Sequence, residues 1–580
     1  MKKIHLKYIP VLAAIFGFSL FGCNKVLDMK PLNEISDVDY WKTADQYKLA
    51  ANEFYTYLRT FSDVIGDAPH SDLRADFITS ANRNVFSSGT NTAPQTDGGW
   101  NTAYSRLRSI NYLLEKASAY QTPAEITHYV AESKFFRGYI YFDLLQQFGG
   151  VPLVTKSLGT ESPELQAARN SRDEVADLII KDLEEAIAVL PNESAISGAN
   201  KGRISKEAAQ AFLARVALYE GTWQKFRNNA ARANTLLDKA IANSNAVITG
   251  NQFQLFAPAA LGDSAQKYMF ILENEKSNPA GITKAGNKEY ILANKYDFTL
   301  RQSRINITQG VHGNGNVNWL TKKLADMYLT QKGLPIDHPN SGFAGYARTR
   351  SEYENRDNRM KYNLMIDSNY HWDNENPGAR TTWIGDAPDI ANSKGRHNAA
   401  YGTGYHNQKW ATERRLNDNE ESYDYPVIRY AEVLLTYAEA VFERNDAISD
   451  ADLDKSLNLV RSRVNKTMPK LSNGFVTANG LNMRTEIRRE RNIELYYEGF
   501  RLDDLKRWKT AETEMPMPLQ GVVWTGTRWQ TRWTGASSQL QNGIVTIEGS
   551  GRQWTEKHYL LPIPTQQIAL NRQINQNTGW

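Results

Sequence analysis

The sequence predicts a mostly α-helical protein: tetratricopeptide-like helical repeats packed on an irregular, loop-rich helical lobe with a small β-hairpin insertion. Three observations predict it. Apolar residues between 100 and 250 recur at helical spacing in segments joined by short breaks, the pattern of stacked helical hairpins. Between 250 and 425 that periodicity weakens, and Gly, Asn and aromatic residues crowd in. From 428 onward apolar stripes return, and only over 521–558 does alternation replace them.

Taken in chain order, the first segment is for targeting. Lys2, Lys3 and Lys7 form a basic start, and Ile9 to Leu20 form an apolar stretch of about a dozen residues, too short for the roughly 20 that span a bilayer. Leu20-Phe21-Gly22-Cys23 closes it and resembles the lipobox of bacterial lipoproteins. Residues 1–22 are therefore expected to be a signal peptide and Cys23 the lipidated N-terminus, carrying acyl chains such as palmitate. Asn24 follows the cysteine where an Asp would favour inner-membrane retention, so the outer membrane is expected. Residues 23–40, with Pro31, Asn33, Ser36 and Asp37, read as a tether. Cys23 is the only cysteine, so no disulfide supports the mature chain.

The next region, 41–250, reads as the helical-repeat part. Helical patterning starts near Trp41 and runs through Phe54, Tyr57 and Leu58. Residues 62–99 are polar and rich in Gly, Ser, Asn and Thr, a long loop of the kind that carries function. Trp100, Tyr104, Leu107, Ile110, Leu113 and Leu114 share one face of a helix. Phe135, Tyr139 and Phe142 mark another, stopped by Gly149-Gly150 and Pro152. Further helices fit 171–190 before Pro191, 205–220 and 229–248, and Ala208, Ala211 and Ala214 suit close helix packing.

Residues 251–580 read as the second lobe. Helices are expected over 428–445, with Val433, Leu434, Tyr437, Ala438, Val441 and Phe442 as one stripe, and over 452–464 and 482–511. The alternation of Val522, Trp524, Trp529 and Trp533, then Ile544, Val545 and Ile547, predicts the hairpin. Glu490 and Glu494 stand four residues apart and would repel unless arginines interleave. Arg488, Arg489 and Arg491 therefore predict, with Glu498, a partly buried charge network tying two helices. The aromatic stripe over 131–148 is expected to be core.

Composition and motifs narrow the chemistry. Removing Lys2, Lys3 and Lys7 leaves 65 of the 68 basic groups against 64 acidic ones, which is no electrostatic footprint for nucleic acid. No H-E-x-x-H, P-loop, G-x-S-x-G or zinc-type Cys/His spacing occurs, and none of the nine histidines is paired at i,i+3 or i,i+4. No metal, no cofactor and no catalysis are expected. A glycosidase carboxylate pair is the enzymatic alternative, since spacing along the chain does not define one. Asp373-Asn374-Glu375-Asn376 departs from the EF-hand pattern and reads as a solvated loop.

Five stretches carry a resemblance. They are Ala131-Glu132-Ser133-Lys134-Phe135-Phe136-Arg137-Gly138-Tyr139 running on to Phe148-Gly149-Gly150; Gly202-Arg203-Ile204-Ser205-Lys206; and Tyr425-Pro426-Val427-Ile428-Arg429-Tyr430-Ala431-Glu432. The last two are Ile487-Arg488-Arg489-Glu490-Arg491, leading to Glu498-Gly499-Phe500-Arg501, and Leu560-Leu561-Pro562-Ile563-Pro564 with Gln576-Asn577-Thr578-Gly579-Trp580. In this order, after a lipobox, they resemble the SusD/RagB family of Bacteroidetes outer-membrane lipoproteins. The resemblance implies a surface-exposed protein that binds oligosaccharide and delivers it to a SusC-like TonB-dependent transporter, acting as its hinged lid. A peptide ligand, as a minority of the family takes, and a surface glycoside hydrolase are the alternatives.

The ligand lead is the aromatic surplus of 13 Trp, 29 Tyr and 21 Phe. Sugar rings stack their C–H faces on rigid aromatics while their hydroxyls need polar partners. The 62–99 loop offers Asp72, Arg74, Asp76, Arg83 and Asn84, and the middle region offers Trp319, Tyr370, Trp372 and Trp383. These nine residues are the expected ligand set, and the resemblance implies ligand-binding loops in the same two regions.

Overall fold

The computed structural model describes residues 40–312, 318–348, 350–366, 370–371, 379–380, 383–384, 387–388, 402–414, 420–527, 530 and 540–580. Its framework is a stack of antiparallel helices whose ends follow local sequence rules. Helix α1 (Ala44–Phe54) begins where Gln46 Oε1 accepts the Thr43 N–H at 3.0 Å. Asp97 caps α2 (Gly98–Ser118) by accepting the Trp100 N–H at 2.8 Å. Helix α3 (Thr127–Phe148) is apolar on nearly every side and lies in the core, with Phe135, Phe136, Tyr139, Phe142 and Phe148 buried as expected. It stops at Gly149, whose φ of 74° and closeness to Leu560 (a Cβ would lie 2.9 Å from that side chain) exclude larger residues.

Helix α4 (Arg172–Val189) starts with a capping box in which Ser171 and Glu174 satisfy each other's backbone N–H groups. Ser205 caps α5 (Lys206–Lys225), whose small residues and Gly221 let α6 (Ala230–Thr249) approach closely. Contacts run α2–α3–α4–α5–α6 and then onto α7 (Tyr430–Asn445), which packs on both α5 and α6, and α8 (Met483–Leu495). The helical stack therefore continues past residue 250 through a helix supplied almost 200 residues later.

Several expected elements differ in their ends. Residues 425–429 form a strand before α7, antiparallel to Tyr290–Asn294, with its β-rich Tyr-Pro-Val-Ile run buried throughout. The expected helix over 452–464 is two, Asp450–Asp454 and Leu457–Ser462, parted at Ser456, whose φ of −136° and ψ of −99° are not helical. The expected helix over 482–511 also breaks, into α8 and α9 (Arg501–Trp508). Between them Tyr497 (φ 62°) and Gly499 (φ 77°) turn the chain, and a Cβ on Gly499 would lie 2.9 Å from the His70 carbonyl oxygen.

The β insertion is a three-stranded antiparallel sheet of Leu519–Val523, Ile544–Glu548 and Leu540–Gln541, with Ile544–Glu548 in the middle. Asn542 and Gly543, both left-handed, make the two-residue turn that matches strand twist. Trp529 and Trp533 lie outside the described residues.

The charge network on α8 is deeper than expected. Glu494 meets Arg429 at 2.7 Å, Arg359 at 3.1 Å and Arg463. Glu490 meets Arg359 at 2.7 Å and Arg461 at 3.0 Å, and Glu498 meets Arg429 at 2.7 Å and Lys409 at 2.6 Å. All are buried, so the network joins α8 to four other segments of the chain. Burial opposes the charge of Glu494, but the three arginines outweigh it and hold its carboxyl well below the usual range.

Candidate ligand-binding site

A small sheet brings the two expected ligand regions together. Trp319–Leu320 is its central strand, flanked by Ile78–Thr79 from the polar loop and Tyr405–His406 from the middle region. Thr79 lies opposite Trp319, and Trp319 opposite His406. The Thr321 N–H and hydroxyl continue the pairing by donating to the carbonyls of Phe77 and Asp76 at 2.9 and 2.8 Å.

Trp319 is only 8% exposed, and its indole N–H has no acceptor among the described residues. Gly402 presses on its ring: a Cβ there would stand 1.9 Å from Trp319 Cδ2. The ring is thus clamped at the root of the surface where residues 81–85 leave the sheet, a stretch exposed at every position but half-buried Asn84.

The polar set divides. Arg83 is partly exposed, donates to the Gly551 carbonyl and lies 3.7 Å from Glu548, so it joins the loop to the β insertion. Asn84 Oδ1 accepts the N–H groups of Phe86 and Ser87 at 2.9 and 3.0 Å, which shapes the turn. Asp72, Arg74 and Asp76, by contrast, are buried with intramolecular partners. Asp72 accepts the Tyr497 N–H at 2.6 Å, and Asp76 accepts from Arg501 at 2.7 and 2.8 Å. Arg74 donates to Asp67 at 2.6 Å, its guanidinium 3.6 Å from the centre of the Phe86 ring. The loop expected to carry function is thus fixed at its base by charged residues turned inward.

Tyr370 and Trp383 fall in short strands: Tyr370–His371 pairs with Ala379–Arg380, and Trp383–Ile384 with Ala387–Pro388. Trp372, and Asp373 to Asn376, lie outside the described residues. Of the other aromatics in this region, Tyr405 and Trp410 are core. Sequence reasoning missed a cleft of about 600 Å³ between the α4–α5 connection and the strand Tyr290–Asn294, lined by Arg203, Lys288, Tyr290 and Lys295 among others. Its basic residues come from segments far apart in sequence, so no local run pointed to it.

Burial sets the ionisation of the site's base. With water excluded, the Asp72 carboxyl is pushed up to about 7 despite two backbone N–H groups aimed at it. Among the described residues no group of three or more His, Cys, Asp or Glu could hold a metal, and no helix is long and apolar enough to cross a membrane.

Comparison with known proteins agrees with this architecture. A profile of the SusD family matches residues 275–580. A second SusD-like profile, described as "starch-binding associating with outer membrane", matches residues 27–218. "SusD-like protein P38" of Formosa agariphila is 26% identical over 545 residues, covering 90% of this chain and 95% of its own. A SusD-like protein of Bacteroides fragilis superposes with a TM-score of 0.71 at 24% identity, over 95% of this chain and all of that one. A SusD-like carbohydrate-binding protein of the same species gives 0.71 at 23%, over 92% and 99%.

Proposed function

The chain belongs to the SusD family, and from that premise we propose that it is a cell-surface lipoprotein, held in the outer membrane through Cys23, that captures oligosaccharide and delivers it to a SusC-like TonB-dependent transporter as its hinged lid. The family's own description supports carbohydrate binding at the outer membrane; the ligand site, the partner and the delivery step are our reading. One observation supports it: the strand pairing that sets Trp319 between Ile78–Thr79, which leads into the exposed 81–85 segment, and Tyr405–His406 of the middle region. On this reading Arg83, Asn84, Trp319, Tyr370, Trp372 and Trp383 are the residues that contact the ligand. Asp72, Arg74 and Asp76 stand behind it and position the loop.

Such a protein performs no bond chemistry. Two or three stacked aromatics give a modest, reversible hold, which release into a transporter requires. Affinity-gel electrophoresis against a panel of glycans, run beside a reducing-sugar assay, tests the reading. Retardation without new reducing ends supports it; release of product would make the protein a glycosidase, and retention of peptides alone would move the ligand class.

A further inference from the structure

The cleft between the α4–α5 connection and the strand Tyr290–Asn294 is lined by none of the residues of the Trp319 surface. At about 600 Å³ it is in the size range of small-ligand sites. Its floor is apolar, with Phe253, Met269 and Leu272, and Tyr290 stands on one wall. Its charges are unequal: five cations line it against the carboxylates of Glu193 and Asp424.

Three of those cations have partners. Lys201 pairs with Glu193, Arg203 with Glu132, and Lys284 with Asp424 at 2.7 Å. Lys288 and Lys295 are exposed and form no ion pair among the described residues. Lys295 nevertheless reaches across the cleft: a Cβ on Gly202 would lie 3.0 Å from its ammonium nitrogen, which puts that charge against the backbone between Lys201 and Arg203. Two unpaired ammonium groups thus line a cleft whose other three cations already have carboxylate partners, and an arriving anion gains from both.

We propose that this cleft is a second saccharide site, selective for an acidic oligosaccharide whose carboxylate or sulfate groups sit on Lys288 and Lys295 while a ring lies over the apolar floor. The saccharide part rests on the proposed function; the preference for anions rests on the cleft alone.

The full mature chain is run through gels containing oligogalacturonate or a neutral maltooligosaccharide, as native protein and as Lys288→Gln/Lys295→Gln. The native chain is expected to be retarded by the acidic gel, with retention falling steeply between 50 and 300 mM salt. The double variant loses about tenfold in that affinity, as two ion pairs at an exposed site would give, and keeps its native behaviour with the neutral saccharide. Equal retention of the double variant, no retention of oligogalacturonate where a neutral saccharide binds, or equal competition by polyglutamate would overturn the proposal. Absence of binding to every saccharide would instead remove the glycan reading on which it rests.

Discussion

Arg501 closes on Asp76 across 425 residues of sequence: Nε and Nη2 donate to the two carboxylate oxygens at 2.7 and 2.8 Å, and both side chains are buried. The same guanidinium meets Glu514 at 2.6 Å, and Lys323 reaches Asp76 from just beyond the Trp319 strand. This hub ties the base of the polar loop to α9 and to the small sheet. Removing one partner of such a pair leaves an uncompensated buried charge, which costs about 3–5 kcal/mol. Arg501→Met is therefore expected to lower the free energy of unfolding by about 3 kcal/mol or more, read from the urea midpoint. Arg501→Met combined with Asp76→Leu should lose less than the sum of the two. A single-variant loss below about 1 kcal/mol would mean that the hub adds little to holding the loop.

Asp72 gives the fold an adverse pH dependence that one substitution isolates. Burial raises its carboxyl to about 7 in the native state, whereas an unfolded Asp titrates near 4. Between those values the native chain binds more protons than the unfolded one, so this group's contribution falls as pH rises from about 4 to about 7. Glu352, also pushed up by burial to about 7, acts in the same direction. Asp72→Asn removes the titration but keeps an oxygen for the Tyr497 N–H. Relative to the native chain, the variant should gain stability as pH rises from 5 to 7.5. Parallel stability curves across that range would contradict the assignment.

Gly402 controls the Trp319 ring. Its φ of 60° and the 1.9 Å approach of a built Cβ to Cδ2 mean that Gly402→Ala strains the backbone and displaces the indole. The expected penalty is about 2–4 kcal/mol, combining overpacking with left-handed strain. If the clamped ring is part of the ligand surface, glycan retardation should also weaken in a variant that still melts cooperatively. Unchanged retardation would take Trp319 out of the surface.

Arg83 makes the opposite kind of prediction. Its links to Gly551 and Glu548 are at the surface, where ion pairs contribute about 0–1 kcal/mol, so Arg83→Ala should leave the melting curve nearly unchanged. Glycan affinity should nonetheless fall several-fold, because the side chain both offers hydrogen bonds and holds the 81–85 segment against the β insertion. A native affinity in the variant would confine Arg83 to loop support.

The helices were readable because their determinants are local. Ser171 with Glu174, the Phe135-Tyr139-Phe142 stripe and the Gly149 stop each act within a few residues; α4 starts and ends within one residue of its expected bounds, and α3 ends at the expected stop. The break at 496–500 was not readable, because its cause, the His70 carbonyl against Gly499, lies more than 400 residues upstream. The same holds for the site. Convergence of the 62–99 loop with Trp319 was anticipated from chemistry, but whether Asp72 and Asp76 face solvent depends on Tyr497 and Arg501, which no pattern near residue 72 records. The basic cleft escaped for that reason too: Lys295 acquires its meaning only beside Gly202.

The proposed lipidation of Cys23 makes a prediction about where the protein is held. A single acyl chain gives only marginal membrane binding at about 0.8 kcal/mol per buried CH₂, whereas several chains on one residue give durable attachment. The apolar stretch from Ile9 to Leu20 is too short to span a bilayer. Cys23→Ser should therefore abolish incorporation of labelled palmitate and shift the protein from the membrane to the soluble fraction, with glycan binding by the released chain unchanged. A Cys23→Ser protein that still sediments with outer membranes at high salt, without label, would show that something other than the acyl chains holds it there. Loss of glycan binding together with the label would tie capture to membrane attachment, against the proposed function, in which Cys23 only anchors the protein.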